Sequence, residues 1–143
     1  MKSPDKPVGL TKDAGWQFGL RKTVPYSQVN VWDFLFSRDG LNTWLGTLIE
    51  EPELKQSFTT KEGVEGMIRL LIPHSHIRMS WKKSGWENTS TVQVRVLTAG
   101  EKTTISFHHE KLLNEQQRED VQVYWNEKMT NIETALAKTF EHK

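Results

Sequence analysis

Few residues in this chain have the type and spacing to do chemistry, and the histidines come first. His74 and His76 stand two apart. In an extended segment residues i and i+2 point the same way, an arrangement a metal ion can use. Zinc would need a third or fourth ligand, and the chain has no Cys and no clear His–Asp constellation to supply one. The plainer reading sets both in the turn that starts at Pro73. His108 and His109 are adjacent, so on a strand they face opposite sides of the sheet. His109 falls on the side of Ile105 and Phe107 and would bring one polar group to an otherwise apolar interior. No metal site and no cofactor are expected.

The remaining chemistry is thinner. No Gly-x-Ser-x-Gly elbow occurs, Asp33 and Asp39 lie in helix-start or solvent contexts, and Glu50–Glu51 beside Pro52 reads as loop charge. Gly63 and Gly66 match neither nucleotide-binding fingerprint. Lys82–Lys83 near Trp86 is the one basic–aromatic cluster, and a solvated hairpin tip accounts for it. No catalytic constellation emerges, so catalysis is not expected.

Composition narrows the classes further. A chain of 143 residues with 36% hydrophobic and 26% charged residues suits one soluble domain. A formal charge of +1 gives no electrostatic reason for a nucleic-acid or anionic-membrane partner. The absence of Cys excludes disulfides and thiolate catalysis. No apolar run approaches the roughly 18 residues of a membrane span. Residues 1–13 are too polar for a signal peptide, so a cytoplasmic location is expected. Six Trp and six Phe against two Tyr make an aromatic-rich core.

The elements that must position these residues follow from hydrophobic periodicity. Residues 1–13 read as a flexible arm and 14–143 as a single domain. Trp16, Phe18 and Leu20 alternate with polar residues or Gly, giving a first strand over about 14–24, stopped by Pro25. Ser27 is a good N-cap for a short helix showing Val29, Trp32 and Leu35/Phe36 on one side. A second short helix over about 39–45 carries Leu41, Trp44 and Leu45 and ends at Gly46. Residues 54–60 are a weak strand. Residues 64–72 are nearly apolar throughout, which suits a strand covered on both faces. Ile77, Met79 and Trp81 alternate with polar residues, as do Val92, Val94 and Val96, and then Thr103, Ile105 and Phe107. Short, turn-linked strands of this kind make an antiparallel meander with one dry face.

The chain then closes with its longest element. From Asn114, a capping residue with Gln117 three positions on, to about Phe140, apolar groups fall at Val121, Trp125, Met129, Ile132, Leu136 and Phe140. Such a helix is roughly 40 Å long at 1.5 Å per residue. It is the one element large enough to cover the sheet's dry face. The expected fold is therefore α+β: a curved antiparallel sheet of about six strands wrapped around a long C-terminal helix, with two short helices after the first strand.

Several separated motifs also carry a family resemblance. Val31-Trp32-Asp33-Phe34-Leu35, Gly40-Leu41 and Trp44-Leu45-Gly46 resemble the opening segment of heat-shock-protein-90 ATPase activator homologue-like domains, members of the START-like (SRPBCC) helix-grip superfamily. Ile77-Arg78-Met79-Ser80-Trp81 resembles that family's strand ending in Trp. Lys102 through His108 resembles its last strand, and Tyr124-Trp125 the aromatic entry to its final helix. The resemblance implies a helix-grip fold over about 16–140. The superfamily includes lipid carriers, hormone receptors and cyclases, so a range of functions is implied with it. The eukaryotic co-chaperone relies on a separate domain with an Asn- and Trp-rich motif, and nothing like that motif occurs here.

The leading functional expectation is binding of a small hydrophobic or aromatic molecule between sheet and C-terminal helix, without chemistry. The residues expected to line that space are Trp44, Ile68, Leu70, Met79, Trp81, Val94, Phe107, His109, Trp125 and Met129. The same large side chains are also what an ordinary packed core would use. Two alternatives stand beside it. One is an interaction module acting on a chaperone or other protein; the other is a cyclase- or hydrolase-like enzyme, which would need a polar cluster such as His109 near a carboxylate.

Overall fold

The computed structural model describes residues 10–11, 15–48 and 50–141. In chain order the elements are β1 (Leu10–Thr11), β2 (Gly15–Val24), α1 (Gln28–Leu35), α2 (Arg38–Trp44), β3 (Ser57–Thr59), β4 (Val64–Ile72), β5 (His76–Lys83), β6 (Ser90–Ala99), β7 (Lys102–Leu112) and α3 (Glu115–Phe140). The strands form one antiparallel sheet in the order β1-β2-β7-β6-β5-β4-β3. Seven strands stand where about six were expected. The extra one is two-residue β1, which pairs Leu10 with Trp16 and Thr11 with Gly15. It lies in the stretch read as a loose arm, whose other residues fall outside the described ones.

The long helix is held as its stripe predicts. Val121, Trp125, Met129, Ile132 and Leu136 are buried against the sheet, while Phe140 at the end is half-exposed. At about 2 kcal/mol per buried large side chain, those five contribute on the order of 10 kcal/mol, an upper bound for an extended unfolded reference. The Asn114 side chain caps the first turn by accepting from the Gln117 backbone N–H at 2.8 Å. Gln117 varies the usual capping box. Its Oε1 accepts from Leu113 N at 2.9 Å, and its amide exchanges two bonds with the Asn88 side chain.

The two short helices close one end. Ser27 caps α1 through a bond from Asn30 N at 3.2 Å, and Ser37 caps α2 through one from Gly40 N at 3.0 Å. The buried face of α1 is Val31, Trp32, Phe34 and Leu35; Val29, expected inside, is half-exposed. Periodicity alone allowed either neighbouring face, and the one carrying Phe34 won because α2 packs there. That approach is very tight. A methyl on Gly40 would lie 1.7 Å from the Phe34 carbonyl oxygen. The Trp44 indole N–H then donates to Leu35 O at 2.8 Å, tying α2 to the end of α1.

Strand β4 departs most from expectation. Its apolar sequence suggested cover on both faces, yet Leu70, Leu71 and Ile72 are exposed. The pairing with β5 slips between Ile68 and Leu70. Before the slip, Ile68 lies opposite Met79 and faces the helix; after it, Leu70 and Ile72 lie opposite Arg78 and His76 and face outward. A bulge of one residue exchanges the two faces of everything that follows. On its other side β4 meets only three-residue β3, so Leu70–Ile72 also forms a sheet edge. Leu54, expected to open β3, makes only an isolated parallel bridge to Ile68.

Candidate functional site: the aromatic interior

Alternation along β5, β6 and β7 sends Ile77, Met79, Trp81, Val92, Val94, Val96, Ile105, Phe107 and His109 to the face that α3 covers. There Trp125 stacks on Phe107, with ring centroids 4.7 Å apart and planes 18° from parallel. Trp81 lies edge-on to His109 at 4.9 Å, to Trp86 at 5.3 Å and to Tyr124 at 5.5 Å. Trp44 reaches Phe107 at 6.0 Å from α2. Of the ten residues expected to line a binding space, Trp44, Met79, Trp81, Val94, Phe107, His109 and Trp125 expose 1% or less of their surface. Ile68 and Met129 each expose 4%. Leu70 is set apart, 41% exposed on the outer face because of the β4 bulge. Side chains whose surface touches neither bulk water nor a water-sized void are packed as in an ordinary core. Clefts of about 250 and 350 Å³ do open elsewhere, beside Leu48, Pro52 and Phe58 and along Met67, Ser80 and Lys82.

The histidine in this interior, His109, is fully committed. The Trp125 indole N–H donates to His109 Nδ1 at 2.9 Å, so Nδ1 carries no proton. His109 Nε2 is then the protonated nitrogen and donates to Ser90 Oγ at 2.7 Å; Ser90 in turn donates to Trp81 O at 2.6 Å. Each member of the chain gives and receives in a fixed direction, which sets one tautomer. Burial, with the charge of neighbouring His108 adding to it, pushes the His109 pKa down to about 3. The imidazole is neutral at physiological pH, and its partners are a Trp and a Ser, not a carboxylate. It acts as a polar strut across sheet and helix.

Around this strut the sequence missed three residues. Ser90 completes the hydrogen-bond chain, and its place two residues before Val92 on the same face was a usable signal. Trp86, read as part of a solvated hairpin tip, folds back onto Trp81 and is half-buried. Tyr124 covers the same ring from α3, with Lys128 Nζ 5.0 Å from its own ring centre. Burial first, then Glu62 and Glu127, pushes the Tyr124 phenol up to about 12. The Trp81 indole N–H is buried without a hydrogen-bond partner among the described residues.

The other described histidines are scattered. His74 sits in a turn with φ +63°, its Nε2 3.4 Å from Asp33 and its backbone O accepting from Gln28. His76 lies on the outer face between Ser75 and Arg95, where partial burial and then the Arg95 charge lower its pKa. His108 pairs with Gln17 at 2.9 Å. Among the described residues no three His, Asp or Glu side chains gather closely enough to hold a metal ion, and no helix is long and apolar enough to cross a membrane.

Comparison with solved structures gives the same architecture. DynU16, a protein in the dynemicin biosynthetic locus, superimposes with a TM-score of 0.77 at 14% identity over 86% of this chain. This chain spans only 48% of that protein's length. CalU16 from Micromonospora echinospora gives a TM-score of 0.73 at 21% identity, covering 88% of this chain and 78% of CalU16. PFC0360w, an HSP90 activator from Plasmodium falciparum, gives 0.73 at 18% identity, covering 86% of this chain and 97% of that one. Comparison with curated protein sequences yields no match. The sequence pattern of the family described as activator of Hsp90 ATPase homolog 1-like protein matches residues 25–137, from the turn before α1 to the last turns of α3. The chain therefore belongs to the activator of Hsp90 ATPase homolog 1-like family and has its helix-grip fold.

Proposed function

We propose that this chain is a cytoplasmic protein-interaction module whose partner is a chaperone of the Hsp90 class, and that it works through its surface. One observation carries this reading: the space between sheet and helix is filled by Trp44, Trp81, Phe107, Trp125 and the His109 strut. A filled interior leaves recognition to the exterior, where Leu54, Leu70, Leu71 and Ile72 are exposed along one sheet edge. Apolar groups clustered in this way favour protein contact. The family membership and the likeness to an HSP90 activator supply the partner class. The test is retention of the chain on an immobilised Hsp90-type chaperone, together with the chaperone's ATPase rate. Saturable retention with a changed rate supports the reading; no retention and no change count against it.

Carriage of a small aromatic or hydrophobic molecule is the second reading, favoured by the unpartnered Trp81 indole N–H. Room for such a ligand would come from Trp86 and Tyr124, the half-buried rings over Trp81. A ligand acceptor atom meeting the indole N–H would fix its orientation. Displacing about 200 Å² of ligand surface from water is worth about 5 kcal/mol before association costs, so micromolar binding is the expected ceiling. Thermal melting with flavonoid-like, steroid-like and fatty molecules tests it, and a W86A variant should then bind more tightly.

A further inference from the structure

The outer face of the sheet holds two arginines that have no counter-charge among the described residues. Register places His76, Arg95, Ser106 and Arg21 in one row across four strands, and Arg78, Gln93, His108 and Gly19 in the next. Arg78 is neutralised by Glu110 at 2.9 Å, and Lys82 lies opposite Glu65. Among the described residues Arg95 is braced by neutral groups, the Gln93 carboxamide oxygen at 2.6 Å and His76 Nδ1 at 3.4 Å. Arg21 is exposed, and its side chain makes no ion pair or hydrogen bond among the described residues. Neighbouring strands run about 4.8 Å apart, so the two arginines stand about 10 Å from each other across the strand between them. Ser106 lies between them and, although it points away from the core, is only 8% exposed. The register thus sets a hydroxyl-bearing residue between two arginine positions.

We infer that this face docks an acidic protein segment, whose carboxylates sit between Arg21 and Arg95 and whose apolar side chains rest on Leu70, Ile72 and Leu97. Charge complementarity selects the partner. The α3 side of the molecule carries five acidic and three basic residues, which repels an acidic chain. The sheet side, with Arg78 paired to Glu110 and Lys82 lying opposite Glu65, keeps an excess of positive charge at Arg21 and Arg95 and so steers that chain to itself. The apolar flank distinguishes a protein from a nucleic acid. The β4 bulge turns Ile72 outward into the row of Arg95 and Arg21 and Leu70 into the neighbouring row, and Leu97 alternates outward two residues beyond Arg95. Nucleic acid would call for stacking rings and more cations there. A guanidinium held in place by neutral acceptors loses little freedom when a carboxylate arrives, which favours fork-like pairing.

The inference rests on the interaction-module reading, and its test separates the two. Isotope-labelled protein is titrated with a short peptide of alternating Glu and Leu while backbone amide shifts are followed. Shifts at Arg21, Arg95, Leu97, Ser106 and Leu70 are expected. In the R21Q/R95Q variant the dissociation constant should rise about tenfold or more. It should also rise in the native protein between about 50 and about 300 mM salt. Should R95Q disturb the fold, R21E at the exposed site must by itself weaken binding severalfold. Shifts confined to α3, unchanged affinity in R21E, or equal binding of a DNA duplex or anionic vesicle at the same residues would overturn the proposal. If R21E leaves chaperone retention intact, the surface is wrong and the module reading survives. If the peptide binds this face but the chaperone is not retained, the partner class is wrong and the surface survives.

Discussion

The buried His109 strut makes stability depend on mild acid in a calculable way. In the unfolded chain this imidazole titrates near 6.5, while in the folded chain burial holds it down to about 3. Between those values the unfolded state binds a proton that the folded state refuses, so stability is complete above the unfolded pKa and falls as pH falls toward the folded one. Each pH unit in that window is worth about 1.36 kcal/mol, so lowering pH from about 6.5 to about 5 removes about 2 kcal/mol. With an unfolding entropy of about 2.1 cal/mol/K per residue, a chain of this length loses about 7 °C of melting temperature. The comparison variant is H109N, whose amide oxygen falls where Nδ1 accepts from Trp125 but cannot titrate. H109N should start about 2 to 3 kcal/mol less stable, having lost ring volume and the bond to Ser90. Its melting temperature should then be nearly flat over the same pH range, once the shared titration of His76 and the other groups is common to both curves. Circular-dichroism melts at closely spaced pH values measure this. Parallel curves for the two proteins would mean that His109 is hydrated or charged in the fold, and the directional hydrogen-bond chain would be refuted.

Four further substitutions probe the packing. G40A forces a methyl to within 1.7 Å of Phe34 O, so the α1–α2 contact must separate; a loss above about 4 kcal/mol or failure to fold is expected in denaturant titration. I68A and L70S test the bulge as a pair. Ile68 is buried and its truncation should cost about 2 to 4 kcal/mol, whereas L70S on the outer face should cost less than about 1 kcal/mol. Similar losses for both would place Leu70 inside after all. N114A removes the acceptor for Gln117 N and should lower stability by about 1 kcal/mol, without changing the pH profile of the His109 strut.

Much of the fold could be read from residue spacing because the signals were local and repeated. The α3 stripe, the caps at Ser27 and Asn114 and the alternation through β5 to β7 each depend on side-chain direction over a few residues. Alternation also placed His109 on the inner face. What spacing could not fix was register and occupancy. Leu70 followed Ile68 in an unbroken apolar run, and nothing in that run marks the one-residue slip that turns it outward. Val29 and Val31 are equally apolar, and only the close approach at Gly40 decides which of them is buried. Whether Trp81, Phe107 and Trp125 enclose a chamber or fill it depends on how three rings from different elements meet. That is a tertiary fact with no one-dimensional trace. The same holds for the Trp125–His109–Ser90 chain, whose members are separated by 16 and 19 positions.

The most direct measurement is a saturation binding experiment on the interior itself, following tryptophan fluorescence and melting temperature as aromatic, steroid-like and fatty molecules are added. An interior already filled by its own rings predicts no saturable quenching and no rise in melting temperature at ligand concentrations up to about 100 μM, well above the micromolar range a displaced ring could support. One-to-one quenching of the buried tryptophans with a melting-temperature rise of several degrees would show a chamber between sheet and helix, and the surface-acting module would give way to a carrier.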